Sequence, residues 1–199
     1  MRILALDLGT RMGVADGDSS LFGKSHFGEC PHIEAVTLRG TSAEKRARFL
    51  GEWLHEKLCH WKSEGPSEQL IITEAPMNPA ASKSADATIY QLHLHGTLQG
   101  VSAIFDVDVA LAPVMAVRKH FCGMAHAPAV CGHKRTSKEA IEARKFINEA
   151  VLRRAILLGY LPEGSTGWDE ANSCALWDYG CAKFARSIPS ELTMYGEPA

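Results

Sequence analysis

The chain has 199 residues, is 46% hydrophobic and 22% charged, and carries a formal net charge of −2. That composition fits one good-sized globular domain and excludes a disordered polar chain or a protein coated in positive charge. No apolar run approaches the length of a membrane span. A single Arg precedes Asp7, which is unlike a signal peptide, and the six cysteines lack a short disulfide-type spacing, so reduced cytosolic thiols are expected.

The run Ile3 to Thr10 is apolar apart from Asp7 and ends in a Gly-Thr turn. It predicts a buried strand, in which a carboxylate needs a cation, a set of backbone N–H groups or a metal ion as partner. Met12 to Ala15 and Leu21 to Phe27 predict a hairpin meander that Ala35 to Leu38 extends. Thr41-Ser42-Ala43-Glu44 reads as a capping box with Thr41 as N-cap. The helix it opens reaches Trp61, with Phe49, Leu50, Trp53, Leu54 and Leu58 on one face, and Gly65-Pro66 ends it.

Leu70 to Thr73 predicts a second buried strand ending in Glu74-Ala75-Pro76. A helix from Asp86 to Ile104 has an apolar stripe at Tyr90, Leu94, Leu98 and Val101, and Val107 to Leu111 reads as another strand. Pro113 stands at N1 of a short helix to Phe121. Cys122 to Lys134 reads as a loop, and Thr136 caps a helix that runs to Leu158 and closes at Gly159. Pro162 to Gly167 is a turn before a last helix from Trp168 to about Ala185. Residues 1–188 are expected to form one domain, with 189–199 a loosely ordered tail. Strands separated by helices imply crossovers and an α/β fold with a partly parallel sheet.

Three acids stand out by position: Asp7 within the first strand, Glu74 at the end of a later core strand, and Asp169 at the start of the last helix. Each has a plainer reading. Asp7 can cap the Gly9-Thr10 turn, Glu74 can be a solvated strand end, and Asp169 can be the N3 member of a capping box begun by Thr166. If adjacent parallel strands and a helix N-terminus bring them together, their repulsion calls for a divalent cation. Oxygen ligands of this kind suit Mg²⁺ or Mn²⁺, and two such ions about 4 Å apart suit phosphodiester cleavage.

From Arg118 to Arg154 the basic residues are Arg118, Lys119, Lys134, Arg135, Lys138, Arg144, Lys145, Arg153 and Arg154, against Glu139, Glu142 and Glu149. This is either a solvated helix face or a phosphate-contacting surface. Cys122, His126, Cys131 and His133 superficially suggest zinc, but the spacing fits none of the common zinc patterns, and a loop is the expectation.

Ile3 to Ala15, Ile71-Ile72-Thr73-Glu74 and Asp169-Glu170-Ala171-Asn172-Ser173-Cys174-Ala175-Leu176-Trp177 together resemble the RuvC-type Holliday-junction resolvases, especially their divergent phage and prophage relatives. The segment Val117 to Gly123 and the helix containing Lys145 are similar to that family as well. The resemblance implies a ribonuclease-H-like fold, a mixed five-stranded sheet flanked by helices, and Mg²⁺-dependent cutting of branched DNA by a homodimer, leaving a 5′-phosphate. It implies Asp7, Glu74 and Asp169 as metal ligands. The family's final motif has two acids three apart, and here the second position is Asn172, a carbonyl donor without charge. Asp178 is out of phase with Asp169 and does not replace it. The resemblance also implies a lysine near the scissile phosphate. Lys119 and Lys145 match best, with Lys138 as rival, and Arg118, Lys134, Arg135 and Arg144 would join them on DNA. The host compartment would be the cytoplasm of a bacterial or phage-infected cell.

The expected function is therefore a Mg²⁺- or Mn²⁺-dependent, structure-selective DNA endonuclease acting on Holliday junctions or other branched DNA. The alternatives are a non-catalytic nucleic-acid-binding module on the same fold and a metal-dependent ribonuclease. The YqgF-type proteins share a start like Leu6 to Arg11 but lack a strand ending like Thr73-Glu74-Ala75-Pro76. A resolvase cuts two strands symmetrically, so a two-fold dimer is expected, with the Asp86–Ile104 helix as its candidate face.

Overall fold

The strand β1 (Arg2–Asp7) lies at the centre of the molecule because its run Ile3 to Leu6 is apolar on both faces, and all four of those side chains are fully buried. The computed structural model describes residues 1–24, 29–65, 68–76, 84–127 and 137–185. With β2 (Arg11–Asp18), β3 (His32–Thr37), β4 (Gln69–Glu74) and β5 (Asp108–Ala112), β1 builds one five-stranded sheet in the order β3-β2-β1-β4-β5. β1 pairs antiparallel with β2 and parallel with β4, and β4 pairs parallel with β5. The sheet is thus mixed, as the sequence led us to expect. No helix among the described residues is long and apolar enough to cross a membrane.

Side chains alternate across the sheet and separate two cores. Leu4, Leu6, Met12, Val14 and Ile71 face α1 (Ala43–Ser63) and α2 (Ala85–Ile104). Ile3, Ala5, Ala15 and Ile72 face α3 (Val114–Cys122), α4 (Ser137–Leu157) and α5 (Trp168–Phe184). Leu50, Leu54 and Leu58 recur every four residues on α1 and are fully buried. At roughly 2 kcal/mol each they fix that helix more firmly than its cap, worth about 1 kcal/mol. The cap itself is one residue later than expected. Ser42, not Thr41, accepts from the Lys45 amide at 3.3 Å.

Two other expectations change. β2 runs unbroken to Asp18, whose carboxylate accepts from the Ser20 amide at 2.8 Å and turns the chain into a single 3-10 turn at Ser19–Leu21. The third strand is therefore His32–Thr37 rather than one beginning at Leu21. Pro113 is the N-cap of α3 rather than its first residue. Of the expected loop Cys122 to Lys134, Cys122 closes α3 and residues 123–127 follow it as a loop, while residues 128–134, the expected cap Thr136 and the tail from residue 189 lie outside the described residues.

Two buried polar networks brace the layers. On the α1 face, Asp16 accepts from Arg2 at 2.9 and 3.1 Å and from Trp61 Nε1 at 3.4 Å, and pairs with Lys57 at 2.8 Å. Burial alone would raise its pKa, but these cations hold it below the usual carboxylate value. On the other face, Asp178 of α5 accepts from His120 Nε2 at 2.8 Å and from the Tyr160 hydroxyl at 2.7 Å. Asp178 therefore ties α3 and the turn after α4 to α5, a structural task away from the acids singled out in the sequence.

Candidate metal centre

Asp7 and Glu74 are the last residues of β1 and β4. The two strands run parallel in register through Leu6↔Thr73, so the next pair is Asp7 beside Glu74. Both continue the rows that carry Ile3, Ala5 and Ile72, and both project onto the α5 side of the sheet. This is the carboxyl end of parallel strands, where open α/β sheets place their ligand sites.

Asp169 arrives from the first turn of α5. Its approach depends on Gly13, which lies opposite Asp7 on β2. A Cβ at Gly13 would overlap the Asp169 carbonyl oxygen, so only glycine lets the start of α5 settle onto β2 beside β1. The N-cap of α5 is Gly167, with no side-chain cap, so Asp169 is not the partner of a Thr166 capping box. One turn further, Asn172 Nδ2 donates to Asp7 Oδ2 at 3.0 Å. The partner of Asp7 is thus the Asn172 amide rather than the Gly9-Thr10 turn.

The electrostatics are those of crowded acids. Burial, first, pushes the Asp7 carboxyl up to about 6; the Asp169 charge adds to this, and the Asn172 hydrogen bond opposes it. Burial and then the Asp7 charge push Glu74 up to about 7. The Arg118 and Arg144 guanidiniums oppose both shifts. Asp169 is also raised, chiefly by burial, against the pull of Arg11, whose Nε stands 3.7 Å from its Oδ2. Arg11 also pairs with Glu170.

The donor set of carboxylate oxygens, crowded and largely buried at the ends of two adjacent strands, fits a hard divalent cation. Asp7 and Glu74 form the half of such a site that the sheet holds rigidly. Asp169 is turned toward Arg11, and among the described residues no three His, Cys, Asp or Glu side chains meet as a closed metal cluster.

The basic residues sort by helix phase. Val117 and Phe121 bury one face of α3, which leaves Arg118 half-buried and Lys119 exposed. On α4, Arg144 and Lys145 are both exposed; the charge of Arg144 acts on the acids, whereas Lys145 pairs with Glu149 at 3.8 Å. The lysines matched from sequence thus each sit one residue beyond the arginine that acts on Asp7 and Glu74. Lys138 is exposed at the start of α4. Lys134, Arg135, Cys131 and His133 lie outside the described residues, while Cys122 donates to the Arg118 carbonyl oxygen at 3.1 Å. A cleft of about 640 Å³ between α3 and α4, lined by His120, Met124, Phe146 and Arg153 among others, includes none of the acids. The acids lie instead at the carboxyl ends of the central strands β1 and β4.

A mixed sheet in this order, flanked by helices on both faces with acids at the ends of its central strands, is the ribonuclease-H-like fold. Among solved structures the chain is similar to Thermus thermophilus RuvC, with a TM-score of 0.54 and 16% identity over 88% of this chain and 90% of that one. It is likewise similar to Thermus thermophilus RuvC in complex with a Holliday junction substrate, with a TM-score of 0.55 and 13% identity over the same shares. No family model matches the chain, and no curated protein matches it.

Proposed function

We propose that this chain is a divalent-cation-dependent, structure-selective DNA endonuclease that acts on Holliday junctions or related branched DNA. The observation that carries the reading is the pairing of Asp7 with Glu74 at the ends of adjacent parallel strands, with the backbone of Asp169 seated against β2 opposite Asp7 at Gly13. The fold it shares with a RuvC seen on a Holliday junction supports the same reading.

Asp7, Glu74 and Asp169 would hold Mg²⁺ or Mn²⁺, and Asn172 keeps Asp7 oriented through its amide. Such a cation, when bound, supplies a water of lowered pKa and polarises the phosphodiester. Lys119, Lys138 and Lys145, exposed on α3 and α4, would follow the DNA backbone, and Lys134 and Arg135 belong to the same basic segment. Two symmetric cuts call for a homodimer. The outer side of α2 carries exposed Ile89, Leu92 and Ile104 and is our candidate for its interface.

The test is cleavage of a synthetic four-way junction with Mg²⁺, against linear duplex and an RNA–DNA hybrid. We expect junction cleavage that Asp7→Asn reduces by at least about 100-fold. Preference for the hybrid would favour a ribonuclease. Junction binding without cleavage by the wild type would leave only a binding module.

A further inference from the structure

We infer that the centre takes a single divalent cation, and that Arg118 and Arg144 meet the scissile phosphate where a second cation would otherwise act. This rests on the nuclease reading above and narrows it.

The first observation is the amide of Asn172. It stands one helical turn beyond Asp169, on the same face of α5 and toward β1, where a fourth carboxylate would serve a second ion. Instead its Nδ2 donates to Asp7 Oδ2 at 3.0 Å. The positive end of an N–H dipole already occupies one side of that oxygen. Asn172 thus removes a negative charge from the second position and turns a donor toward it.

The second observation is the balance of charge around the acids. Four carboxylates, Asp7, Glu74, Asp169 and Glu170, face three guanidiniums, Arg11, Arg118 and Arg144. One dication added to this set leaves a surplus that an anionic phosphodiester neutralises. Two would leave a larger positive surplus with no further acid to meet it.

The third observation concerns how the guanidiniums are used. Arg11 is committed to Asp169 and Glu170. Arg118 and Arg144 reach Asp7 and Glu74 with their charge, yet among the described residues neither forms an ion pair or a side-chain hydrogen bond. They come from two different helices, α3 and α4, both packed on the face of the sheet onto which Asp7 and Glu74 project. Two arginines with uncommitted planar forks beside a cation site suit the non-bridging oxygens of a phosphate, which they can bind in bidentate fashion. There they would stabilise the charge that grows as the water oxygen bonds to phosphorus and the phosphorus–oxygen bond to the leaving strand breaks. The water's proton passes to solvent, and the leaving oxygen is protonated.

The experiment counts Mn²⁺ bound to the full metal-free chain by calorimetry and by electron paramagnetic resonance, without DNA. We expect one Mn²⁺ per chain for wild type and two for Asn172→Asp. We expect Arg118→Gln/Arg144→Gln to keep one Mn²⁺ while kcat on a junction falls by on the order of 100-fold or more and junction Kd changes by less than about 10-fold. Two ions in the wild type would overturn this inference and leave the nuclease reading standing. No bound ion would overturn both. One ion with an unchanged kcat in the double arginine variant would overturn the role given to the arginines, whether or not Asn172→Asp folds.

Discussion

Replacing Glu74 by Gln should stabilise the metal-free protein at alkaline pH, although it removes a residue of the centre. In the folded chain the Glu74 carboxyl is pushed from 4.5 to about 7, so folding favours its neutral form. The sign follows from linkage: the stability associated with the neutral carboxyl is fully present below about 4.5 and is lost as pH rises through about 7. The difference in the two values corresponds to roughly 3 kcal/mol above pH 8, an upper figure because part of the shift is shared with Asp7. For a domain of this size it corresponds to a rise in Tm of up to about 10 °C. Gln has the shape of the neutral acid and carries no charge, so Glu74→Gln recovers that loss. Thermal melts in EDTA should show Glu74→Gln above wild type at pH 8.5 and the gap shrinking to under about 1 kcal/mol near pH 5. Mg²⁺ at pH 8.5 should raise the wild type and leave the variant unmoved, closing or reversing the order. A Glu74→Gln protein less stable than wild type at pH 8.5, by the same margin at pH 5, would refute the argument that like charge and burial strain this pair.

Gly13→Ala should force the first turn of α5 away from β2, at a cost of about 1–3 kcal/mol in denaturant melts, and should weaken Mn²⁺ binding although residue 13 carries no ligand. Asp16→Ala leaves Arg2 and Lys57 without their buried partner and should cost about 3–5 kcal/mol in urea unfolding. Because Asp16 is held below the usual carboxylate value, its contribution is present above about 3.8 and fades as pH falls through the lower folded value; acid titration of wild type against Asp16→Asn checks this sign. Tyr160→Phe takes one of two donors from buried Asp178 and should cost about 1–3 kcal/mol, with Mn²⁺ stoichiometry unchanged because the network braces α3 and α5 rather than holding the cation.

The parts of the fold legible in the sequence were those written as runs. Ile3 to Leu6 and Leu70 to Ile72 are continuous apolar stretches, and they are the central parallel pair; each ends in an acid, so the pairing of Asp7 with Glu74 followed once the strands were adjacent. The α1 leucine stripe was equally plain. Where the outcome turned on one residue of phase, residue type alone did not decide it. Thr41 and Ser42 are both good caps, and only backbone geometry selects Ser42. Lys119 and Arg118 differ by about 100° around α3, and the phase is set by which residues, Val117 and Phe121, enter the core. The same holds for Lys145 and Arg144. Gly13 does carry a local signal, since a glycine inside an apolar strand marks close approach by another backbone, here the start of α5. The Asp16 and Asp178 networks join residues far apart in sequence, and no local pattern announces them.

The most direct measurement is a crystal of the chain soaked in Mn²⁺ and examined by anomalous scattering. The account predicts a peak bonded to oxygens of both Asp7 and Glu74, with Asp169 drawn toward it and away from Arg11. A crystal saturated with Mn²⁺ that shows no peak between Asp7 and Glu74 would contradict the claim that these acids form a cation-holding centre.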